Sequence, residues 1–255
     1  MHGPEWHSTP RGAHFLSRAL AARLVDESDL RSGELVFDLG AGQGAITAAI
    51  AAAGGRVVAV ERDPKLVGRL ERRFSDNSLV RVVHGDVRTV PLPRKPFRVV
   101  ANIPFGVTTE LLRRLLDSPV NAADIVVAAG VCIAVTADRP GNIRVLRWAT
   151  RYSLRRGRRL PAHCFRPPPS VDAGTLVIRR RPEPLLRSPA QRRAFDALVA
   201  AGYRHADGPW ERSVSGLLTH RQAVRIAASR ELPLGTAVRE LSVHDWVAAA
   251  EIVAR

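Results

Sequence analysis

Apolar residues recur along the first 138 positions with two alternating spacings. Leu35-Val36-Phe37-Asp38-Leu39, Val57–Glu61, Leu79–His84, Phe97–Ala101 and Asp124–Ala129 are short, nearly unbroken apolar runs, and they predict buried strands. Between them lie helical stretches. Ala45–Ala53 is rich in alanine and closes at Gly54-Gly55. Asp63-Pro64 opens a helix to about Phe74, with a cap followed by a first-turn proline, and Thr108–Leu116 is a third. Strand–helix alternation with apolar strands that do not themselves alternate predicts an α/β fold, an open parallel sheet covered on both faces. Residues 144–154 and 173–180 predict later strands at the edge of the same sheet, in antiparallel orientation. From Arg187 onward the spacing turns helical. Phe195, Leu198 and Val199 form one stripe, Val214, Leu217 and Leu218 a second, and Val243, Trp246 and Val247 a third. The expected organisation is a catalytic domain over residues 1–182 and a small helical C-terminal domain over 183–255.

Charge changes this picture. The 255 residues carry 39 basic and 24 acidic side chains, a formal +15. Residues 139–230 alone hold 20 basic against 5 acidic residues, whereas residues 1–138 are nearly balanced. Almost all of the excess is arginine, since Lys65 and Lys95 are the only lysines. A solvated surface normally mixes signs, so this one-sided stretch points to a polyanion, nucleic acid before membrane. Arg155-Arg156-Gly157-Arg158-Arg159 and Arg179-Arg180-Arg181 sit beside Gly and Pro rather than along a long amphipathic helix. The uncharged run Ile125–Ala137 is 13 residues, short of the roughly 20 a membrane span needs. Met1–Glu5 does not read as a signal peptide. Cys132 and Cys164 form no C-x-x-C pair, which argues against a zinc site or a disulfide framework and for a reducing, cytoplasmic setting.

The first strand runs into Asp38-Leu39-Gly40-Ala41-Gly42-Gln43-Gly44 and then a helix. Such glycines let the backbone approach a ligand with no Cβ in the way. Glu61 closes the second strand, where a carboxylate can accept hydrogen bonds from ribose hydroxyls. This much fits either a nicotinamide dinucleotide or S-adenosylmethionine (SAM). Asp38 leans toward SAM, because a carboxylate faces a pyrophosphate badly but suits the cationic amine of a methionine moiety. Asp86, in Gly85-Asp86-Val87 after the third strand, is placed to accept from an exocyclic amine.

The fourth strand ends in Asn102-Ile103-Pro104-Phe105-Gly106, at the carboxyl end where open α/β sheets bind ligands. An adenine N6 amine is a poor nucleophile because its lone pair is delocalised. The Asn102 side-chain oxygen and the Ile103 carbonyl can accept its two N–H bonds, Pro104 stiffens the turn, and Phe105 offers a stacking face. Catalysis by such a site is mostly proximity and orientation. A structural Asn-x-Pro turn closed by a core Phe is the plainer alternative.

Taken together, the Asp38–Gly44 loop, Glu61, Asp86, Asn102-Ile-Pro-Phe105 and Phe165-Arg-Pro-Pro-Pro-Ser-Val171 resemble the rRNA adenine-N6 methyltransferases. These are the erythromycin-resistance (Erm) family and its KsgA-like small-subunit relatives; the resemblance spans about residues 8–182. It implies a Rossmann-like SAM domain plus a small helical domain that supports RNA binding, SAM as methyl donor, and a monomer. It implies a cofactor site of His14, Phe15, Asp38, Gly40, Gly42, Gly44, Glu61, Arg62, Asp86, Val87 and Asn102. It also implies a catalytic element of Asn102, Ile103, Pro104 and Phe105, with Phe165 flanking the target base opposite Phe105. Arg155, Arg156, Arg158, Arg159 and Arg166 are the expected RNA contacts, and no metal is expected. Asn-Ile-Pro-Phe resembles the Erm form, whereas KsgA-like members usually have Leu and Tyr there. The Erm form implies methylation of an adenine of 23S rRNA and resistance to macrolides, lincosamides and streptogramin B. The chain departs from the family at Ala13-His14-Phe15-Leu16, where the family has Gln-Asn-Phe-Leu. A KsgA-like enzyme on 16S rRNA, an RNA binder of this fold without catalysis, and a nicotinamide oxidoreductase are the competing readings.

Overall fold

The computed structural model describes residues 14–254; residues 1–13, including the Met1–Glu5 stretch and Ala13, and residue 255 lie outside the described residues. In chain order the elements are β1 (Phe15–Leu16), α1 (Arg18–Asp26), β2 (Leu35–Leu39), α2 (Ala45–Ala52), β3 (Arg56–Glu61), α3 (Pro64–Arg73), β4 (Val80–His84), β5 (Phe97–Asn102), α4 (Thr108–Leu116), β6 (Val120–Ala128) and α5 (Ala129–Val135). There follow α6 (Ile143–Arg151), β7 (Tyr152–Leu160), β8 (Phe165–Arg166), β9 (Ala173–Arg180), α7 (Pro189–Gly202), α8 (Trp210–Ser213), α9 (His220–Arg230) and α10 (Val243–Val253). Among the described residues no helix is long and apolar enough to cross a membrane.

Seven strands form one sheet in the order β4-β3-β2-β5-β6-β9-β7. The pairs from β4 through β6 are parallel, and β9 joins β6 antiparallel. The order reverses beside β2, so the carboxyl ends of β2, β3 and β5 open onto one crevice, as expected at a topological switch point. Val36, Leu39, Val99, Val100, Ile125 and Val126 are fully or almost fully buried, which explains why these strands read as unbroken apolar runs. A second, two-stranded sheet pairs β1 with β8, setting Phe15 opposite Arg166 and Leu16 opposite Phe165.

The chain divides into two compact units, residues 1–132 with 155–179, and residues 133–154 with 180–255. The segment 133–154 therefore belongs with the helical unit, although it precedes the boundary expected at 182. The second unit's core gathers Phe195, Leu198, Trp210, Val238 and Trp246, together with Leu146 of α6. Its helices start where the side chains can cap them: Ser188 with Gln191, Thr219 with Gln222 and Ser242 with Asp245 form reciprocal capping boxes. Gly202 admits Trp246, whose ring would stand 2.5 Å from a Cβ at that position.

Three elements differ from the sequence reading. Residues 144–154, expected as a strand, are mostly α6; Asn142 caps that helix, and Val145, Leu146 and Trp148 bury its apolar face. The strand comes later, as β7, whose arginines hide its β character. At the sheet's edge these side chains point into water, where charge also discourages strand-to-strand aggregation. The strand expected at Asp124–Ala129 starts at Val120. The stripe Val214, Leu217, Leu218 is a run of turns after α8: Val214 and Leu218 are buried, but Leu217 is exposed, because Ser215-Gly216 interrupts the helix.

Candidate active site

The glycine loop joins β2 to α2 with Gly40, Gly42 and Gly44 all at positive φ. Their roles separate. A Cβ on Gly42 would meet the Phe15 ring at 2.8 Å, and one on Gly40 would press on Pro104 at 3.3 Å, so both let crevice residues close around the loop. Gly44 does not line the crevice as expected. It faces α3, where a Cβ would strike Leu70 at 2.6 Å and Phe74 at 3.0 Å. From the same helix Arg73 Nη1 donates to the Gln43 carbonyl at 2.6 Å, pinning the loop.

A crevice of about 810 Å³, partly open to solvent, has His14, Phe15, Gly40, Gly42, Glu61, Arg62, Asp86, Val87 and Asn102–Phe105 on its walls. Leu66 and Val107 complete the lining and had no signal in the sequence. A smaller adjoining cavity shares Phe15, Gly40 and Asn102 with it and is lined by Asp38.

The three carboxylates differ sharply. Glu61 is held rigidly. Gly42 N–H donates to Oε2 at 2.8 Å, and Arg62 and Asp63 N–H donate to Oε1 at 2.7 and 2.9 Å. Oε2 retains a lone pair for a further donor. Asp86 is engaged by Arg88, whose side chain donates to both oxygens at 2.6–3.1 Å and whose N–H donates to Oδ1 at 2.8 Å. Those bonds hold the Asp86 carboxyl down at about 2. An exocyclic amine at Asp86 would share the carboxylate with Arg88, a partner the sequence reading missed. Asp38 is 1 % exposed, and burial pushes its carboxyl up to about 7. Thr47 Oγ1, one turn into α2, donates to Oδ2 at 2.6 Å, and Oδ1 has no partner. A buried acceptor without a donor is costly, so this oxygen is suited to a ligand cation. The orphaned Asp38 oxygen, the spare Glu61 lone pair and the Cβ-free loop together fit the amine and ribose of SAM.

Asn102 is the last residue of β5. Its Nδ2 donates to the His14 carbonyl at 2.6 Å, which leaves Oδ1 as the amide's acceptor. Ile103 is buried and its N–H donates to the Val126 carbonyl at 3.3 Å, anchoring the element to β6. Pro104 starts the short turn Phe105–Val107. The Phe105 ring is half-buried, with the His14 ring centroid 5.7 Å away on one side and Phe165 edge-on at 6.4 Å. His14 Nδ1 in turn bonds the Pro167 carbonyl at 2.9 Å, so it donates there and strands 1 and 8 are tied together. Phe165 does not stand opposite Phe105 as a second base-stacking face. It is 1 % exposed and shares a core cluster with Leu16, Leu160 and Ala173, meeting Phe105 edge-on.

This arrangement bears on a family comparison. The sequence profile of the family described as "Ribosomal RNA adenine dimethylase" matches residues 9–255. The chain belongs to the ribosomal RNA adenine dimethylase family. It is thus an rRNA adenine methyltransferase. An rRNA adenine N-6-methyltransferase of Corynebacterium diphtheriae is 34% identical over 200 residues, covering 78% of this chain and 76% of that protein. The mycinamicin-resistance protein MyrB of Micromonospora griseorubida is 38% identical over 178 residues, 69% of this chain and 56% of that protein. Ribosomal RNA small subunit methyltransferase A of a Synechococcus strain is 29% identical, over 98% of this chain and 91% of that one. In fold, the chain superposes on the 23S rRNA methyltransferase ErmE with a TM-score of 0.87 at 24% identity, over 94% of this chain and all of that one.

The expected RNA arginines do not form one uniform face. All five are exposed. Arg158 pairs with Glu27, and Arg159 Nη2 donates to Asp172 at 2.7 Å. Arg155 and Arg156, on the edge strand, make no salt bridge among the described residues, and neither does Arg166.

Proposed function

We propose that this enzyme transfers a methyl group from SAM to the N6 amine of one adenine in 23S rRNA, acting as a monomer in the cytoplasm, and so confers resistance to macrolides, lincosamides and streptogramin B. The carrying observation is the orientation of Asn102. Its amide nitrogen is committed to the His14 carbonyl, so its oxygen is the group left to accept from an N6 amine beside Phe105. Asn-Ile-Pro-Phe, rather than the Leu and Tyr usual in small-subunit relatives, favours the large subunit, and the likeness to MyrB, a mycinamicin-resistance protein, favours a role in resistance.

SAM, when bound, supplies an activated methyl and leaves as a neutral thioether. The chain's own residues do the rest. Asn102 Oδ1 and the Ile103 carbonyl accept the two N–H bonds of the amine, which favours a pyramidal nitrogen and frees its lone pair. Phe105, wedged between His14 and Phe165, stacks the extruded base, and extrusion is easiest for an unpaired nucleotide. Asp38 and Glu61 would hold the methionine amine and the ribose, and Arg62, Asp86 and Val87 would hold the adenine. The near-full-length likeness to a small-subunit methyltransferase supports 16S rRNA as the second reading. Radiolabelled SAM with each purified rRNA, followed by primer extension, tests both. Label and a single stop in 23S rRNA are expected; label confined to 16S rRNA would move the function to the small subunit.

A further inference from the structure

The helical unit carries a groove walled by arginine. Arg147, Arg151, Arg180, Arg181 and Arg192 line it, and Asp196 is the one carboxylate among the lining residues. Its volume is about 1170 Å³, open solvent included. These guanidiniums are held in place. Arg147 Nε donates to Asp196 at 2.7 Å, Arg181 Nε to the Ala149 carbonyl at 3.1 Å, and Arg192 Nη1 to the Leu186 carbonyl at 3.4 Å. Arg151 and Arg180 both lie over the ring of the buried Tyr152, at 5.7 and 6.0 Å from its centroid. In Arg147, Arg181 and Arg192 each such bond uses part of a planar fork that carries five N–H donors. Preorganised forks suit phosphate, which accepts two parallel N–H bonds, better than they suit a lone carboxylate or bulk water. An ordinary solvated face would intersperse acids, and this one offers a single Asp already spent on Arg147.

We propose that this groove, built from residues none of which line the crevice, grips the phosphodiester backbone of rRNA as a sequence-independent site. The inference rests on the rRNA substrate argued above. It also explains why the charge excess extends past the β7 arginines, two of which are neutralised by Glu27 and Asp172.

The test uses the full chain, a labelled 23S rRNA transcript and a salt series. R180Q/R192Q should bind RNA roughly tenfold more weakly near physiological salt. It should flatten the log–log salt slope by about 1.5–2 while leaving kcat at saturating RNA and SAM affinity unchanged. D196N frees Arg147 and should tighten RNA binding several-fold, a gain that a merely structural Asp196 would not give. R225Q, on exposed α9, serves as the control and should leave the slope within error. Unchanged affinity and slope in R180Q/R192Q would overturn the proposal. So would an equal loss in R225Q, weaker binding by D196N, or loss of binding to phosphatidylserine vesicles with RNA binding intact. If the wild-type enzyme methylates neither rRNA, the proposed function fails, whereas the binding series still decides the groove.

Discussion

The parallel sheet buries a carboxylate on either side of its centre, and the two are treated oppositely. Asp38, at the carboxyl end of β2, has one donor, Thr47, and an oxygen with no partner. Asp124, within β6, is also almost fully buried, but Arg179 meets it at 2.9–3.0 Å and Arg98 stands 3.7 Å away. Arg98 itself is buried, donating to the Ser28 carbonyl at 2.5 Å and pairing with Glu34 at 3.1 Å. Burial pushes Asp124 up to about 6 and Asp38 to about 7, with Arg179 and Arg98 pulling Asp124 back down. Asp124 Oδ2, like Asp38 Oδ1, makes no hydrogen bond, but two arginines of the fold pair with it, whereas no salt bridge reaches Asp38 among the described residues and its oxygen is suited to a ligand cation. The contrast separates the part of the sheet that holds the molecule together from the part that does chemistry.

Substitutions on the two sides should therefore fail differently. Asn102→Ala should cut single-turnover methyl transfer by about 100- to 1,000-fold or more, the scale of losing one oriented polar group at a reacting centre. RNA affinity and thermal stability should stay near wild type, and retained turnover would remove Asn102 from the mechanism. Asp124→Ala should do the reverse. It leaves Arg98 buried with less compensation, and denaturant unfolding should show about 3–5 kcal/mol of lost stability. The folded fraction should keep its kcat; a selective loss of activity would erase the distinction. Asp38→Asn should weaken SAM binding by about 10- to 100-fold at pH 8, the worth of a hydrogen bond to a charged group, with an unfolding midpoint no lower than wild type, because the buried charge is removed. His14→Asn is the mildest. The bond to Asn102 comes from the His14 main chain and survives, so only the ring's contacts with Phe105 and Pro167 are lost. A kcat change of about tenfold or less is expected, and a larger one would give the imidazole a direct part in the reaction.

Legibility in the sequence follows the same division. Strands buried on both faces announce themselves as apolar runs, and the crevice residues sit at the ends of those runs, so Asp38, Glu61, Asp86 and Asn102 could be placed by position. What could not be read were partners brought together only by folding. Thr47 on Asp38 and the Pro167 carbonyl on His14 carry no local signature, whereas Arg88, two residues after Asp86, is a local turn contact that a turn reading of Gly85-Asp86-Val87-Arg88 would have offered. Phe165 matched a family motif, yet its burial depends on β1 pairing with β8, 150 residues apart in the chain. The edge strand β7 was missed for a physical reason too: an exposed arginine strand lacks the apolar alternation that marks a half-buried one. The clamp on Asp124 was invisible because Arg98 and Arg179 look like any other charges of a basic chain.

A carboxyl raised to about 7 also has a thermodynamic signature. The stability it contributes is complete below the unfolded value near 3.8 and is lost as pH rises through about 7. A cationic ligand that pairs with the ionised form should reverse that loss. Calorimetric titration of the wild-type protein with SAM from pH 5.5 to 8.5 measures this directly. The account predicts affinity that climbs roughly tenfold per pH unit below 7 and levels above it, with Asp38→Asn flat throughout. Binding that is independent of pH in the wild type, or no heat at any pH, would contradict it.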